Sequence, residues 1–373
     1  MGQRQPREDR LTEPIAGSTL AELRDRFESA LQPGPKGYFS GGAADEVTLA
    51  ANCSAWRNWE IHPRVLVNVA DRDPSVELLG SRRPHPLIAA PTAYHRLAHP
   101  RGEPETARGC ERAGAIYTLS TLATARPAEV AAGCEEGTKW FQVYVFKDRA
   151  VTADLVAEAV DNGFEALVLT ADLPVLGKRE RDRRTGFAIG DANLVPGVSA
   201  AGASGLISMQ DTADLIDPSL TWRDVERLAA DSPLPVLVKG ILHPADAQAA
   251  ISSGAAGVVV SNHGGRQLDN VPATASVLES VVEAVDGSGA VIVDGGIRRG
   301  TDVLVALSLG ADSVMLGRPV LWGLAAAGAA GVEAAFAAVL DEFDRALALS
   351  GCPKASELKG RNDLVVPKLR LSD

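Results

Sequence analysis

From residue 86 onward, short β-rich apolar runs alternate with segments of helical periodicity. The runs are Pro86–Ala90, Ala115–Leu119, Trp140–Val145, Ala166–Thr170, Pro235–Val238, Gly257–Val260, Val291–Val293 and Ser313–Leu316. Segments between them, such as Ala153–Asn162, Ala245–Ser253 and Thr301–Leu309, carry apolar residues at helical spacing. Most successive run starts are about 20 to 35 residues apart, the rhythm of repeated βα units around a parallel sheet. Eight such units close into a barrel, so the pattern predicts an α/β chain with a (β/α)8 TIM barrel.

Two stretches break the rhythm. The interval between the fourth and fifth runs is about twice as long as the others, which predicts a long loop after strand 4, about residues 180–217. Its middle, Gly190 to Gly205, is rich in Gly, Ala and Ser, as expected of a mobile lid, although a surface loop without function has the same composition. Ahead of the barrel, residues 1–85 form a helical cap: a helix near Leu20–Leu31, a Gly-rich turn at Ser40–Gly42 and a second helix from about Asp45. The barrel then occupies 86–373, cap and barrel making one structural domain. At 373 residues length alone favours two or three domains, but one barrel with insertions can reach about 400. The Ala-rich stretch Gly323–Val332 is about half the length of a membrane span and is expected to be a packed surface helix or loop.

Composition narrows the function. With 46% hydrophobic and 23% charged residues the chain is ordinary globular protein. Acidic side chains outnumber basic ones 48 to 37, a net charge of -11, so its field repels phosphate backbones and anionic lipid. Neither nucleic acid nor membrane is an expected partner. Cys53, Cys110, Cys134 and Cys352 are scattered without a C-x-x-C pair, which points away from a zinc cage or disulfide framework and towards a reducing compartment. The opening MGQRQPREDR is charged, with no apolar segment after it, so no export signal is expected.

The chemistry collects where the strands end, the face on which barrels of this kind bind ligands. The strand-end residues are Pro91, Thr92 and Ala93; Ser120; Gln142 with Tyr144; Thr170 with Asp172; Lys239; Ser261 through His263 to Arg266; Asp294, Gly295 and Gly296; and Gly317 with Arg318. Each alone reads as a cap or turn. Together they point to one large polar ligand spanning the face. The stretches D-G-G-I-R-R-G-T-D (294–302) and G-R-P (317–319) predict a phosphate site, with a helix starting near Thr301 directing its positive end at the anion. In S-N-H-G-G-R-Q-L-D (261–269), a histidine and an arginine three apart on a Gly-rich loop can offer one small substrate a base and a carboxylate fork.

With these motifs the chain resembles the FMN-dependent α-hydroxy acid oxidases and dehydrogenases, the family of glycolate oxidase, lactate oxidase, mandelate dehydrogenase and the flavin domain of flavocytochrome b2. The likeness runs from about Gly37 to Cys352. It rests on S-N-H-G-G-R-Q together with P-T-A, F-Q-V-Y, T-A-D-L-P, V-K-G-I, V-D-G-G-I-R and G-R-P in the family's order. The resemblance implies FMN as cofactor and oxidation of an L-2-hydroxy acid to the 2-oxo acid. It implies His263 as the base and Asp172 as the carboxylate that stabilises its imidazolium. Arg266, Tyr38 and Arg179 match the grip on the substrate carboxylate, and Tyr144 the partner of the substrate hydroxyl. Lys239 matches the cation beside the flavin pyrimidine edge. Pro91, Thr92, Ala93, Ser120, Gln142, Thr170 and Ser261 match contacts of the isoalloxazine. Asp294, Gly295, Gly296, Arg298, Gly317 and Arg318 match those of the ribityl chain and phosphate. A homotetramer in the cytoplasm is the expected assembly and location.

Two positions depart from the pattern. Leu122 stands where glycolate oxidases carry a tryptophan over the substrate side chain, which implies a side chain larger than that of glycolate. Tyr94 either adds an aromatic wall there or packs away from the ligand. Thr185 replaces a frequent asparagine, so the lid is expected to dock differently. Oxygen, giving hydrogen peroxide, is the expected electron acceptor; a quinone or other acceptor uses the same core residues. An FMN-barrel isomerase acting on a diphosphate, or a flavin-binding protein without catalysis, would not need a His263–Asp172 pair surrounded by Tyr38, Arg179 and Arg266.

Overall fold

The computed structural model describes residues 15–189, 195–205 and 207–368. Eight parallel strands form a closed barrel: Leu87–Ala89, Ile116–Ser120, Lys139–Val143, Ala166–Thr170, Val236–Ile241, Gly257–Val260, Ala290–Val293 and Ser313–Leu316. Each falls on one of the eight expected runs. The last strand pairs with the first, Val314 opposite Leu87 and Leu316 opposite Ala89. Closure leaves no edge to pair with another chain.

Side chains alternate across the barrel wall. Ile88, Ile116, Trp140, Val168, Leu237 and Met315 fill the inside, while their neighbours Leu167, Leu169, Val238 and Val314 face the helices. Leu78 joins the inner cluster from a short antiparallel pair, Val76–Leu78 with Ser81–Arg83, that the sequence reading did not anticipate. Arg83 ties this pair to the strand starts, donating to Thr138 Oγ1 and Glu165 Oε2, both at 2.7 Å. One end of the barrel is thereby stoppered. The polar face at the other end is left for a ligand.

The N-terminal segment holds helices Leu20–Ala30, Pro33–Ser40 and Val47–Ala55. The first starts on a capping box between Thr19 and Glu22 and buries Leu23 and Phe27 completely. Ser40 closes a helix that begins with Pro33, and the expected Gly-rich turn is its exit. There Ala43 N–H donates to Gly265 O at 2.8 Å. A Cβ on Gly42 would lie 2.9 Å from that same carbonyl, so glycine permits the segment to reach the barrel's functional face.

The Ala-rich stretch is a packed helix rather than a loop, and most of it is buried. It lies within helical Arg318–Ser350, which breaks at Ala327 (φ -162°) and Gly328 (φ 59°). By length and composition this is the one helix among the described residues apolar enough to cross a membrane. Its apolar residues are otherwise engaged: Leu324, Val332, Phe336, Val339, Phe343 and Leu347 are fully buried within the protein. Glu105 accepts from Ala329 N–H at 3.0 Å and so caps the second half beyond the break.

The long connection after the fourth strand contains helices Glu180–Thr185, Pro196–Ala200 and Met209–Asp214. Residues 190–194 and 206 of the expected lid lie outside the described residues. The start of the described part is anchored, with Val195 and Val198 fully buried and Gly197 packed against Thr121, Phe146 and Leu155, whereas Gly202, Ser204 and Gly205 are exposed. Thr185 spends its hydroxyl within its own helix, donating to Arg181 O at 3.0 Å. Docking of this helix falls to Arg181, which pairs with Glu46 of the N-terminal segment at 2.5 Å.

Candidate active site

The polar strand ends are linked side by side. Gln142 Oε1 accepts from Ser120 Oγ at 3.1 Å, and Gln142 Nε2 donates to Thr170 Oγ1 at 3.0 Å, joining three strands in one buried row. At the next strand, Gly240 makes a bulge: the register with the following strand slips between Lys239 and Ile241. Gly240 has φ +109°, and a Cβ there would lie 2.6 Å from that of Asp172, so only glycine lets Asp172 stand this close. Lys239 Nζ donates to Ser261 Oγ at 2.7 Å and pairs with Asp294 Oδ2 at 3.1 Å. Burial opposes its charge, but Asp294 and Asp172 outweigh burial and raise its pKa. Lys239 is a buried, fully ionised cation.

The loop after the sixth strand is strained. His263, Gly264 and Gly265 have φ of 56°, 65° and 74°, a left-handed run that a histidine adopts only where its surroundings impose it. Asn52 and Asn262 impose it. Their buried amides bond reciprocally at 2.8 and 2.7 Å, and Asn262 Oδ1 also accepts from Gly265 N–H at 3.1 Å. Thus held, His263 Nδ1 contacts Asp172 Oδ1 at 2.8 Å and Nε2 faces Tyr144 Oη at 3.4 Å. Burial, together with the Lys239 and Arg179 charges, lowers the His263 pKa against the upward pull of Asp172, so the ring is neutral at neutral pH. Asp172 behaves oppositely: burial raises its pKa, but His263 and Lys239 prevail and hold the carboxyl below its usual range. The site holds a neutral base backed by an anion.

Four arginines surround the cavity, and among the described residues none of them has an ion-pair partner: Arg179, Arg266, Arg298 and Arg318. Arg318 donates to the carbonyls of Phe39, Gly41 and Gly264 at 2.8–3.1 Å. Arg266 donates to Tyr38 O and Gly41 O and lies over the Tyr38 ring, 4.7 Å from its centroid. Arg298 lies over Trp322 at 5.1 Å. Burial, then neighbouring arginines, push Arg318 down to about 9 and Arg266 to about 10. Buried cations without counter-ions are costly, so this set calls for anions: a carboxylate near Arg179 and Arg266, a phosphate near Arg298 and Arg318. Asp294 Oδ1 is buried without a partner, an acceptor suited to a ligand hydroxyl. A flavin mononucleotide, with hydroxyls and a phosphate on one chain, fits this donor set.

One expectation fails here. The helix near Thr301, observed as Gly300–Ser308, does not offer its positive end to an anion. Asp302 already accepts from the Arg298 and Arg299 N–H groups, and Glu342 from that of Gly300. The nearer helix start is that of Arg318–Ser350, where Gly317 and Arg318 line the cavity.

The cavity is open at its mouth and is walled by the strand ends, the N-terminal segment and the loop after the fourth strand. Every sequence-predicted site residue lines it except Asp172 and Ser261, which stand behind His263 and Lys239. Tyr94 is fully buried, its ring 5.6 Å from that of Tyr38, and is absent from the lining: it packs away from the ligand. Sequence reasoning missed an apolar wall of Leu173, Leu176, Met209, Ala213 and Ile216, which faces the cavity together with Leu122. The Ser208–Asp211 capping box that starts the Met209–Asp214 helix was the available signal.

Residues 28–365 match the family model described as FMN-dependent dehydrogenase. The chain is 42% identical to human 2-hydroxyacid oxidase 1 over 94% of its length and 98% of that protein. It is 45% identical to spinach glycolate oxidase (86% and 88% covered) and 44% identical to L-lactate oxidase from Nostoc sp. strain PCC 7120 (86% and 91%). A mandelate oxidase solved with (S)-4-hydroxymandelic acid superposes with a TM-score of 0.87 at 38% identity, covering 94% of this chain and 99% of that one. The arginine-rimmed barrel face and these matches agree, and the chain belongs to the FMN-dependent dehydrogenase family.

Proposed function

We propose that the protein oxidises an (S)-2-hydroxy acid to its 2-oxo acid with FMN as cofactor and oxygen as electron acceptor, releasing hydrogen peroxide. The observation that carries this reading is the neutral His263, backed by Asp172 and facing the same cavity as Arg179 and Arg266, two cations without counter-ions. Arg266 and Arg179 hold the substrate carboxylate beside the Tyr38 ring, and Tyr144 holds the hydroxyl. That places the α-carbon near His263 Nε2, which takes the proton released on oxidation. Asp172 stabilises the imidazolium that results. Bound FMN supplies the acceptor for the two electrons. Arg298, Arg318, Gly317, Gly295, Gly296 and Asp294 would hold its phosphate and ribityl chain. Pro91, Thr92, Ala93, Ser120, Gln142 and Thr170 would hold its ring, and Lys239, itself held by Ser261 and Asp294, would supply the cation that favours the electron-rich form.

The names of the relatives support oxygen as acceptor. Leu122 and the other apolar residues that line the cavity support a substrate with a larger apolar or aryl side chain. A homotetramer follows from family resemblance, and a cytoplasmic location is in keeping with four unpaired cysteines. Aerobic incubation of the purified yellow protein with a panel of 2-hydroxy acids should yield peroxide and 2-oxo acid in equal amounts. A flavin-loaded protein that forms neither would overturn the proposal.

A further inference from the structure

Gln267 ends the strained loop that carries His263 and Arg266, and nothing so far gives it a role. Its amide makes four contacts, all to the loop after the fourth strand. Nε2 donates to Asp172 O and Val175 O, both at 3.0 Å, while Oε1 accepts from Gly177 N–H at 3.3 Å and from Arg179 Nη2 at 3.2 Å. Only one orientation of the amide satisfies all four, because the opposite one sets oxygen against two carbonyls and NH2 against two donors. The backbones also interlock: a Cβ on Gly177 would lie 2.4 Å from Arg266 O and 2.6 Å from Gln267 O. Arg179 Nε donates to Arg266 O at 3.4 Å.

We propose that Gln267 is a positioning residue: it fixes the Arg179 guanidinium and the Asp172 backbone against the His263 loop, so that the carboxylate grip and the base keep one spacing. The inference rests on the functional reading above. Among the described residues no carboxylate lies within ion-pair distance of Arg179, so the Gln267 amide oxygen is the neutral acceptor that orients it without neutralising it. A carboxylate at this position would do both harms at once. It would oppose the carbonyls of Asp172 and Val175, and it would pair with Arg179 in competition with the substrate.

The test uses holoenzyme. Gln267→Glu should keep FMN and raise KM, and the Kd for oxalate read from the flavin spectrum, by about ten- to a hundredfold, the worth of one bond to a charged group. Its kcat should fall less than KM rises. Gln267→Met, close in length but without an amide, should give a smaller change in the same direction. The discriminating measurement is a double-mutant cycle. In an Arg179→Ala background, Gln267→Met should change KM by clearly less than it does in the wild type, because the part of its effect that runs through Arg179 is gone while the part that runs through the Asp172 backbone remains. Two results overturn the inference: unchanged oxalate binding in Gln267→Glu, or a Gln267→Met effect of equal size with and without Arg179. A wild-type holoenzyme that neither binds oxalate nor turns over any 2-hydroxy acid would instead remove the functional reading itself.

Discussion

Replacing Asp172 with asparagine removes the charge behind His263 and preserves the side chain's shape. The geometry permits it. Asp172 Oδ1 takes the contact from His263 Nδ1 at 2.8 Å, and Oδ2 is buried without a partner among the described residues, so an amide oxygen can keep the contact while its NH2 takes the idle position. The tautomer of the ring is then retained, and what is lost is attraction for the imidazolium. For unit charges about 4 Å apart at an effective dielectric near 20, that attraction is about 4 kcal/mol. Losing most of it should lower kcat by about 10²–10³-fold. The pH profile supplies the sign. Burial holds the His263 pKa below its ordinary value while Asp172 pulls it upward, so without Asp172 it falls further. The base works when neutral, so kcat/KM rises with pH through this pKa. The acid limb of Asp172→Asn should therefore move to lower pH as the plateau drops. Steady-state kcat/KM across that limb is the assay. A plateau reduced less than about tenfold, or a limb that stays put or moves to higher pH, would refute the reasoning.

Three further outcomes follow from the same geometry. Leu122→Trp narrows the apolar wall, and since one methylene is worth about 1–3 kcal/mol in such a pocket, kcat/KM should shift from mandelate and 2-hydroxyoctanoate towards glycolate with FMN retained; an unchanged ranking of the three acids contradicts it. Arg318→Ala should weaken FMN binding about ten- to a hundredfold, read by flavin fluorescence, because one charge-assisted bond is lost; unaltered affinity would remove Arg318 from the phosphate site. Gly240→Ala forces a Cβ against Asp172 at φ +109°, and should cost about 2–4 kcal/mol in denaturant unfolding of the apoprotein; a loss below about 1 kcal/mol would mean the bulge relaxes.

The barrel was legible because its strands are short uninterrupted apolar runs whose polar ends mark one face, and because Asp172, His263 and Arg266 lie within distinctive local strings. What escaped depends on partners distant in sequence. Nothing near Gly240 announces that Asp172 will pack on its α-carbon. Val76–Leu78 and Ser81–Arg83 are three-residue strands, too short for periodicity to register. The composition of Gly323–Val332 does not reveal how closely it packs, yet a Cβ on Gly323 would lie 2.2 Å from Gly331 O; small residues there serve close backbone approach. The helix at Gly300 was read as an anion donor because the string cannot reveal that Glu342, from another helix, already occupies its start.

Anaerobic mixing of the flavin-loaded protein with excess 2-hydroxy acid, followed by admission of oxygen, tests the central claim most directly. The account predicts that the oxidised flavin band bleaches with one 2-oxo acid formed per flavin, that oxygen restores it with one equivalent of peroxide, and that His263→Ala, still yellow, bleaches at least about 10²–10⁴-fold more slowly. A wild-type flavin that stays oxidised with every acid, or a His263→Ala protein that bleaches at the wild-type rate, would contradict it.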